Sequence, residues 1–131
     1  MLKQFAACTA LATLSIAAQA QRAAPDTGNA CPIGTHYAAM RHDIVKPGKW
    51  TGFEKAVADH SAWYASHKNG TKTVIARTLA PKGGLSSTEA VTITRYAPGA
   101  QPNHDAAYDA FIAEYRASST VKDEVRLCLP N

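Results

Sequence analysis

The chain has no Gly-x-Ser-x-Gly turn for a nucleophilic serine, no phosphate-cradling glycine loop and no dinucleotide fingerprint. Gly83-Gly84 stands as a lone pair between two strand-like stretches. These absences remove the usual signatures of serine hydrolases and of nucleotide-dependent enzymes. Long apolar runs are missing too. The uncharged run from Phe5 to Ala18 is Ala-rich and falls short of the roughly 20 apolar residues that a membrane span needs. Charge is sparse and dispersed, with 14 Lys and Arg against 10 Asp and Glu and a net charge of +4. No basic stripe forms, so a nucleic-acid partner is not expected. Cysteine is scarce, three in 131 residues. There is no internal repeat, and no low-complexity tract beyond the first residues.

What is there begins at the N-terminus. Met1-Leu2-Lys3-Gln4 is a short positive start, the apolar run follows, and Ala18-Gln19-Ala20 supplies the small-x-small pattern that signal peptidase reads. Residues 1–20 are therefore expected to be a cleaved secretory signal. Cys8 leaves with it. A lipid anchor is not expected, because the apolar run follows this cysteine instead of preceding it. The exported protein would be secreted or periplasmic, with no membrane contact after cleavage. Roughly 110 residues remain, enough for one domain with one core. In an oxidising compartment the two remaining cysteines, Cys31 and Cys128, are expected to pair. Closing a loop of nearly the whole domain contributes about 4–5 kcal/mol in the chain-entropy account.

Residues 21–34 read as a flexible leader that Cys31 pins, with Cys31-Pro32-Ile33-Gly34 as a turn, and residues 35–131 as the folded domain. Thr35 to Val45 alternates like a strand, with Ala38, Met40, His42 and Ile44 on one face and Tyr37, Ala39, Arg41, Asp43 and Val45 on the other. After Lys46-Pro47-Gly48-Lys49, the residues Trp50, Phe53, Val57, His60, Tyr64 and His67 recur at helical spacing, widened by Ala56 and Trp63. Asn69-Gly70 is the expected stop. Thr73 to Ala80 and Thr88 to Tyr96 read as an antiparallel hairpin around Pro81-Lys82-Gly83-Gly84. Asn103 or Asp105 can cap a second helix from Ala106 to Ala117. Val121 to Glu124 reads as a short helical turn, and Val125 to Leu129 as a last strand.

The order β-α-β-β-α-β predicts an α+β fold of the ferredoxin-like kind, an antiparallel sheet with both helices on one face. The other face carries apolar residues and needs cover. From Tyr37 to Tyr96, with Lys46-Pro47-Gly48-Lys49-Trp50 opening a helix that ends Trp63-Tyr64-Ala65-Ser66-His67-Lys68-Asn69-Gly70, the chain resembles the dimeric α/β-barrel superfamily. That superfamily includes antibiotic-biosynthesis-monooxygenase-like and NIPSNAP-like domains. The resemblance rests on element order and covers roughly residues 35–129. It implies a homodimer with two sheets face to face. It spans cofactor-free oxygenases, isomerases, haem-degrading and chlorite dismutase-like proteins, so it does not choose a function. Val91, Ile93, Ile75 and Leu79 are the candidates for the dimer face.

The histidines do not chelate locally. His60 and His67 share a helix face but stand about 10 Å apart along the axis, and His36 and His42 are roughly 20 Å apart along a strand. No metal site and no cofactor are expected, with haem ligation by a single histidine left open. His60 and His67 otherwise read as edge residues packed beside Trp63 and Tyr64. Three charged or titratable residues sit in apolar strand registers: His42, Arg77 and Arg95. Burying such groups unpaired is costly, so they are candidates for a wall that holds an anionic ligand, with His42 as proton carrier. The plainer expectation for the arginines is that they reach water or a carboxylate. The function expected is a secreted barrel protein that binds a small, anionic organic molecule. The alternative is a cofactor-free monooxygenase- or isomerase-like enzyme with His42 or His60 as base, and a weaker one is haem handling.

Overall fold

The computed structural model describes residues 31–130. The expected signal over 1–20 and residues 21–30 of the leader lie outside the described residues. Four strands and two helices follow in the order β1 (Thr35–Val45), α1 (Trp50–Ser66), β2 (Lys72–Leu79), β3 (Leu85–Arg95), α2 (Ala106–Ser118) and β4 (Ser119–Pro130). The strands form one antiparallel sheet in the order β2-β3-β1-β4. This is the ferredoxin-like βαββαβ arrangement, with both helices on one face. Among the described residues, no helix is long and apolar enough to cross a membrane.

Local chemistry explains the elements. Gly48, at a φ of 71°, turns the chain out of β1 before α1 begins. Asp105 caps α2 by accepting a hydrogen bond from the Tyr108 backbone N–H at 2.9 Å. The end of α1 differs from expectation: the left-handed residue is Lys68, at a φ of 54°, and not Gly70. The Asn69 N–H then returns to the Tyr64 carbonyl at 3.0 Å.

The last strand is the main correction. Residues 121–124 form no helical turn, since β4 runs unbroken against β1 with one bulge between His42 and Asp43. Glu124 sits opposite Arg41, and Asp123 opposite His42. Both acidic side chains are placed by cross-strand charges that no local pattern displays.

The core lies between the sheet and the helices. Val45, Phe53, Val57 and Ala90 form one cluster, with Trp50, Ile75 and Tyr115 against it. Trp63, Tyr64 and Phe111 form a second, with Tyr96, Tyr108 and Ile112. Helix α2 packs chiefly on α1 and leaves the helix side of β4 open, where Glu124 and Arg126 are exposed. Cys31 and Cys128 are joined by a disulfide with Cα atoms 5.5 Å apart, tying the entry of β1 to the end of β4. The bond fits a compartment other than the reducing cytoplasm.

The face away from the helices carries Met40, His42, Ile44, Val74, Ala76, Val91, Ile93, Val125 and Leu127, as register dictates. One of the four residues expected there lies elsewhere. Ile75 pairs with Thr92 on the helix side and packs on the core, whereas Leu79, beyond a register shift at the hairpin end, is exposed. Val74 and Ala76 line the open face on β2.

Candidate functional site

The polar chemistry concentrates at the helix–sheet interface on Arg41, a residue of the Tyr37/Ala39/Asp43/Val45 register. Its Nε donates to Glu124 Oε2 at 2.7 Å, while Glu124 Oε1 lies 3.6 Å from Arg126 Nε. One carboxylate thus serves two guanidinium groups, and the Asp43 carboxyl is a second acidic group close enough to act on Arg41. The Arg41 side chain is 40% exposed. Burial works against its charge, but the hydrogen bond and proximity of Glu124 outweigh that effect and hold the guanidinium above its ordinary value. The Arg41 charge also acts at a distance on Tyr64, Tyr96, Tyr108 and Tyr115, members of the second core cluster. Burial pushes all four phenols up, so each stays protonated and able to donate. Tyr37 packs on Tyr96 with ring centroids 5.3 Å apart.

Deeper in, Asp43 is 2% exposed and accepts a hydrogen bond from Thr92 Oγ1 at 2.8 Å. Burial raises its carboxyl above the ordinary value, with the threonine offsetting part of the effect. His60 stacks on Phe111 with centroids 4.6 Å apart, and its Nδ1 lies 3.2 Å from Thr73 Oγ1 and 3.4 Å from the Tyr115 hydroxyl. Thr73 Oγ1 in turn meets Thr94 Oγ1 at 2.9 Å. Burial, then the Arg41 charge, lower the His60 imidazole to about 4, so it is neutral at physiological pH.

The residues singled out from sequence are dispersed by the register. Arg77 points to the helix side, where its guanidinium lies 3.8 Å from the Trp50 ring and its Nη2 donates to the Ser86 carbonyl at 3.1 Å. Arg95 lies on the open face at the Ala38 row. The two arginines therefore stand on opposite faces and form no common wall. His42 is on the open face with Arg95, but four residues along, about 13 Å at strand rise. Its Nε2 and Nδ1 lie 3.5 Å from Glu89 and 3.6 Å from Asp123, so acidic groups surround it. His60 sits in the helix–sheet core, the same interface as Arg41. Sequence reasoning passed over Arg41, although the signal was present: a charge among Tyr37, Ala39 and Val45. The reading of residues 121–124 as helical hid Glu124, its partner.

His67 and His104 flank an open, polar depression of about 660 Å³ between the end of α1 and the loop before α2. Nδ1 of His67 is 2.9 Å from the Trp63 carbonyl and its Nε2 3.2 Å from Asp105 Oδ2. Asp105 is held below the ordinary carboxylate range by its hydrogen bonds from the Tyr108 backbone and the Trp63 indole, the latter at 2.8 Å. His104 stacks flat on Tyr108. Among the described residues, no three His, Cys, Asp or Glu side chains are grouped to hold a metal ion.

No family's sequence model, no curated protein and no solved structure matches the chain.

Proposed function

We infer that this is an exported α/β-barrel protein that binds a small anionic organic molecule at Arg41, on the helix side of the sheet. The observation that carries the reading is the Arg41 guanidinium, partly exposed at the helix–sheet interface and bonded through Nε to a Glu124 that it shares with Arg126. A guanidinium partly open to solvent receives a carboxylate in two parallel hydrogen bonds. The half-buried Tyr96, Tyr108 and Tyr115 of the neighbouring cluster offer ring edges for an apolar or aromatic body and hydroxyl donors for further polar groups. The chain functions as a homodimer of the dimeric α/β-barrel type, its open sheet face covered by a second copy. The apolar residues of that face support this, since patches of that kind in water mark interfaces.

A catalytic variant of the reading is favoured by one observation: Asp43, a buried carboxyl with a raised pKa, lies one register step from Arg41 on the same face. It would act as a base on a ligand held by Arg41, as in a cofactor-free oxygenase or isomerase.

Calorimetric titration with a panel of aliphatic and aromatic carboxylic acids tests the binding site. At least one acid binds the wild type, and Arg41→Gln weakens it tenfold or more with an unchanged circular dichroism spectrum. Equal binding by Arg41→Gln, or no binding of any acid, contradicts the reading.

A further inference from the structure

The open sheet face has a basic end, an apolar row, and then a row in which the apolar Ala76 and Val91 are followed by His42 and Asp123 toward an acidic end. Reading across the strands, Val74, Ile93, Met40 and Val125 form one row, and Ala76, Val91, His42 and Asp123 the next. Beyond the first row, Lys72 and Arg95 stand directly opposite each other on β2 and β3. Neither makes an ion pair within the described residues, and like charges placed opposite one another are unfavourable. Beyond the second row lies Glu89, opposite Ile44. Glu89 and Asp123 share the single His42, at 3.5 and 3.6 Å, so this end is acidic even when the histidine is charged. Arg95 and Glu89 are six residues apart on β3, about 20 Å at strand rise. The row midway between them, Ile75, Thr92 and Arg41, points to the helices.

We propose that the open face docks on a second copy of this chain about a two-fold axis lying across the strands at that midpoint, so that Arg95 of each protomer meets the partner's Glu89. The inference rests on the reading that a second copy covers this face, and adds the axis and the pairs that fix it. A two-fold across the strands reverses strand direction while leaving β3 over β3. It lays the basic end of one face on the acidic end of the other, twice over, as an isologous interface requires. Val74 and Ile93 of one copy then face Ala76 and Val91 of the other near the centre, and His42 faces the partner's Met40. Asp123, on the edge strand, stays at the rim. A two-fold along the strands would stack Lys72 and Arg95 near their own copies, and like charges across an interface exclude that register. The same charges disfavour an unrelated apolar partner, which would leave both ends unpaired.

Charge reversal separates dimerisation itself from the position of its two-fold axis. Sedimentation of the purified protein at low salt gives the monomer–dimer equilibrium, with circular dichroism checking that each variant folds. The wild type is a dimer. Arg95→Glu and Glu89→Arg each raise the dimer dissociation constant at least tenfold, because each places like charges together twice. An equimolar mixture of the two variants forms heterodimers in excess of the statistical share in native mass spectrometry, since both cross-pairs are then restored with reversed sign. Should Glu89→Arg not fold, Glu89→Gln weakens the dimer in the same direction. A monomeric wild type overturns the dimer itself. A dimer insensitive to either reversal, or a mixture without heterodimer enrichment, overturns the proposed axis and leaves the dimer standing.

Discussion

His60 shows how far burial governs the chemistry of single residues here. It contacts Phe111, Tyr64 and Tyr115 and reaches Thr73 through Nδ1. An unfolded histidine takes up a proton near 6.5, whereas folded His60 does so only near 4. Its folded pKa is depressed, so its contribution to stability is fully present above pH 6.5. That contribution is lost as the pH falls to about 4, because the unfolded chain binds the proton first. The difference corresponds to about 3 kcal/mol. Asp43 acts with the opposite sign: its raised carboxyl holds a proton the unfolded chain has released, which favours the fold as pH falls. The two are separated by comparing proteins. Urea midpoints measured from pH 4 to 8 will show a steep acid-side loss in the wild type, and His60→Gln will lack about 3 kcal/mol of it. Parallel curves for the two proteins would show that His60 carries no such linkage.

At the scale of elements, strands and helices with a strong period were legible and their partners were not. Alternation fixed β1 and its two faces, and the spacing of Phe53, Val57 and Tyr64 fixed α1. Residues 121–124 were not legible, because Lys122, Asp123 and Glu124 have no apolar alternation of their own. Their strand conformation comes from β1, through Arg41 and His42. The pairing of strands decides the faces that matter for function, and that pairing is non-local. Thus Arg77 and Arg95, alike in their own strands, end on opposite sides of the sheet, and Arg77 finds Trp50 instead of a ligand. The helix stop is a smaller case. Asn69-Gly70 signals the end of α1, yet the left-handed position falls on Lys68. A side chain there is strained, and glycine is not. Lys68→Gly will therefore stabilise the protein by about 0.5–1 kcal/mol, net of the added unfolded-state entropy. A lowered thermal midpoint would contradict this.

For the whole molecule, the disulfide and the sheet act on the same two strands. Cys31 precedes β1 and Cys128 lies in β4, opposite Tyr37. Because β4 is an edge strand with its helix side uncovered, the bond holds in place the strand that supplies Glu124 and Arg126. Replacing both cysteines by serine will cost about 4–5 kcal/mol in the chain-entropy account, and will weaken ligand binding at Arg41 along with it. A variant as stable as the wild type would show the bond to be dispensable. A small organic acid bound at Arg41 would sit beside β4, on the helix side of the sheet. Backbone and side-chain NMR shifts followed during titration with the best-binding acid test this placement most directly. Saturable changes are expected at Arg41, Tyr96, Tyr108 and Glu124, absent in Arg41→Gln. Saturable changes centred on Arg95 and His42 of the open face, or no saturable change anywhere, would contradict it.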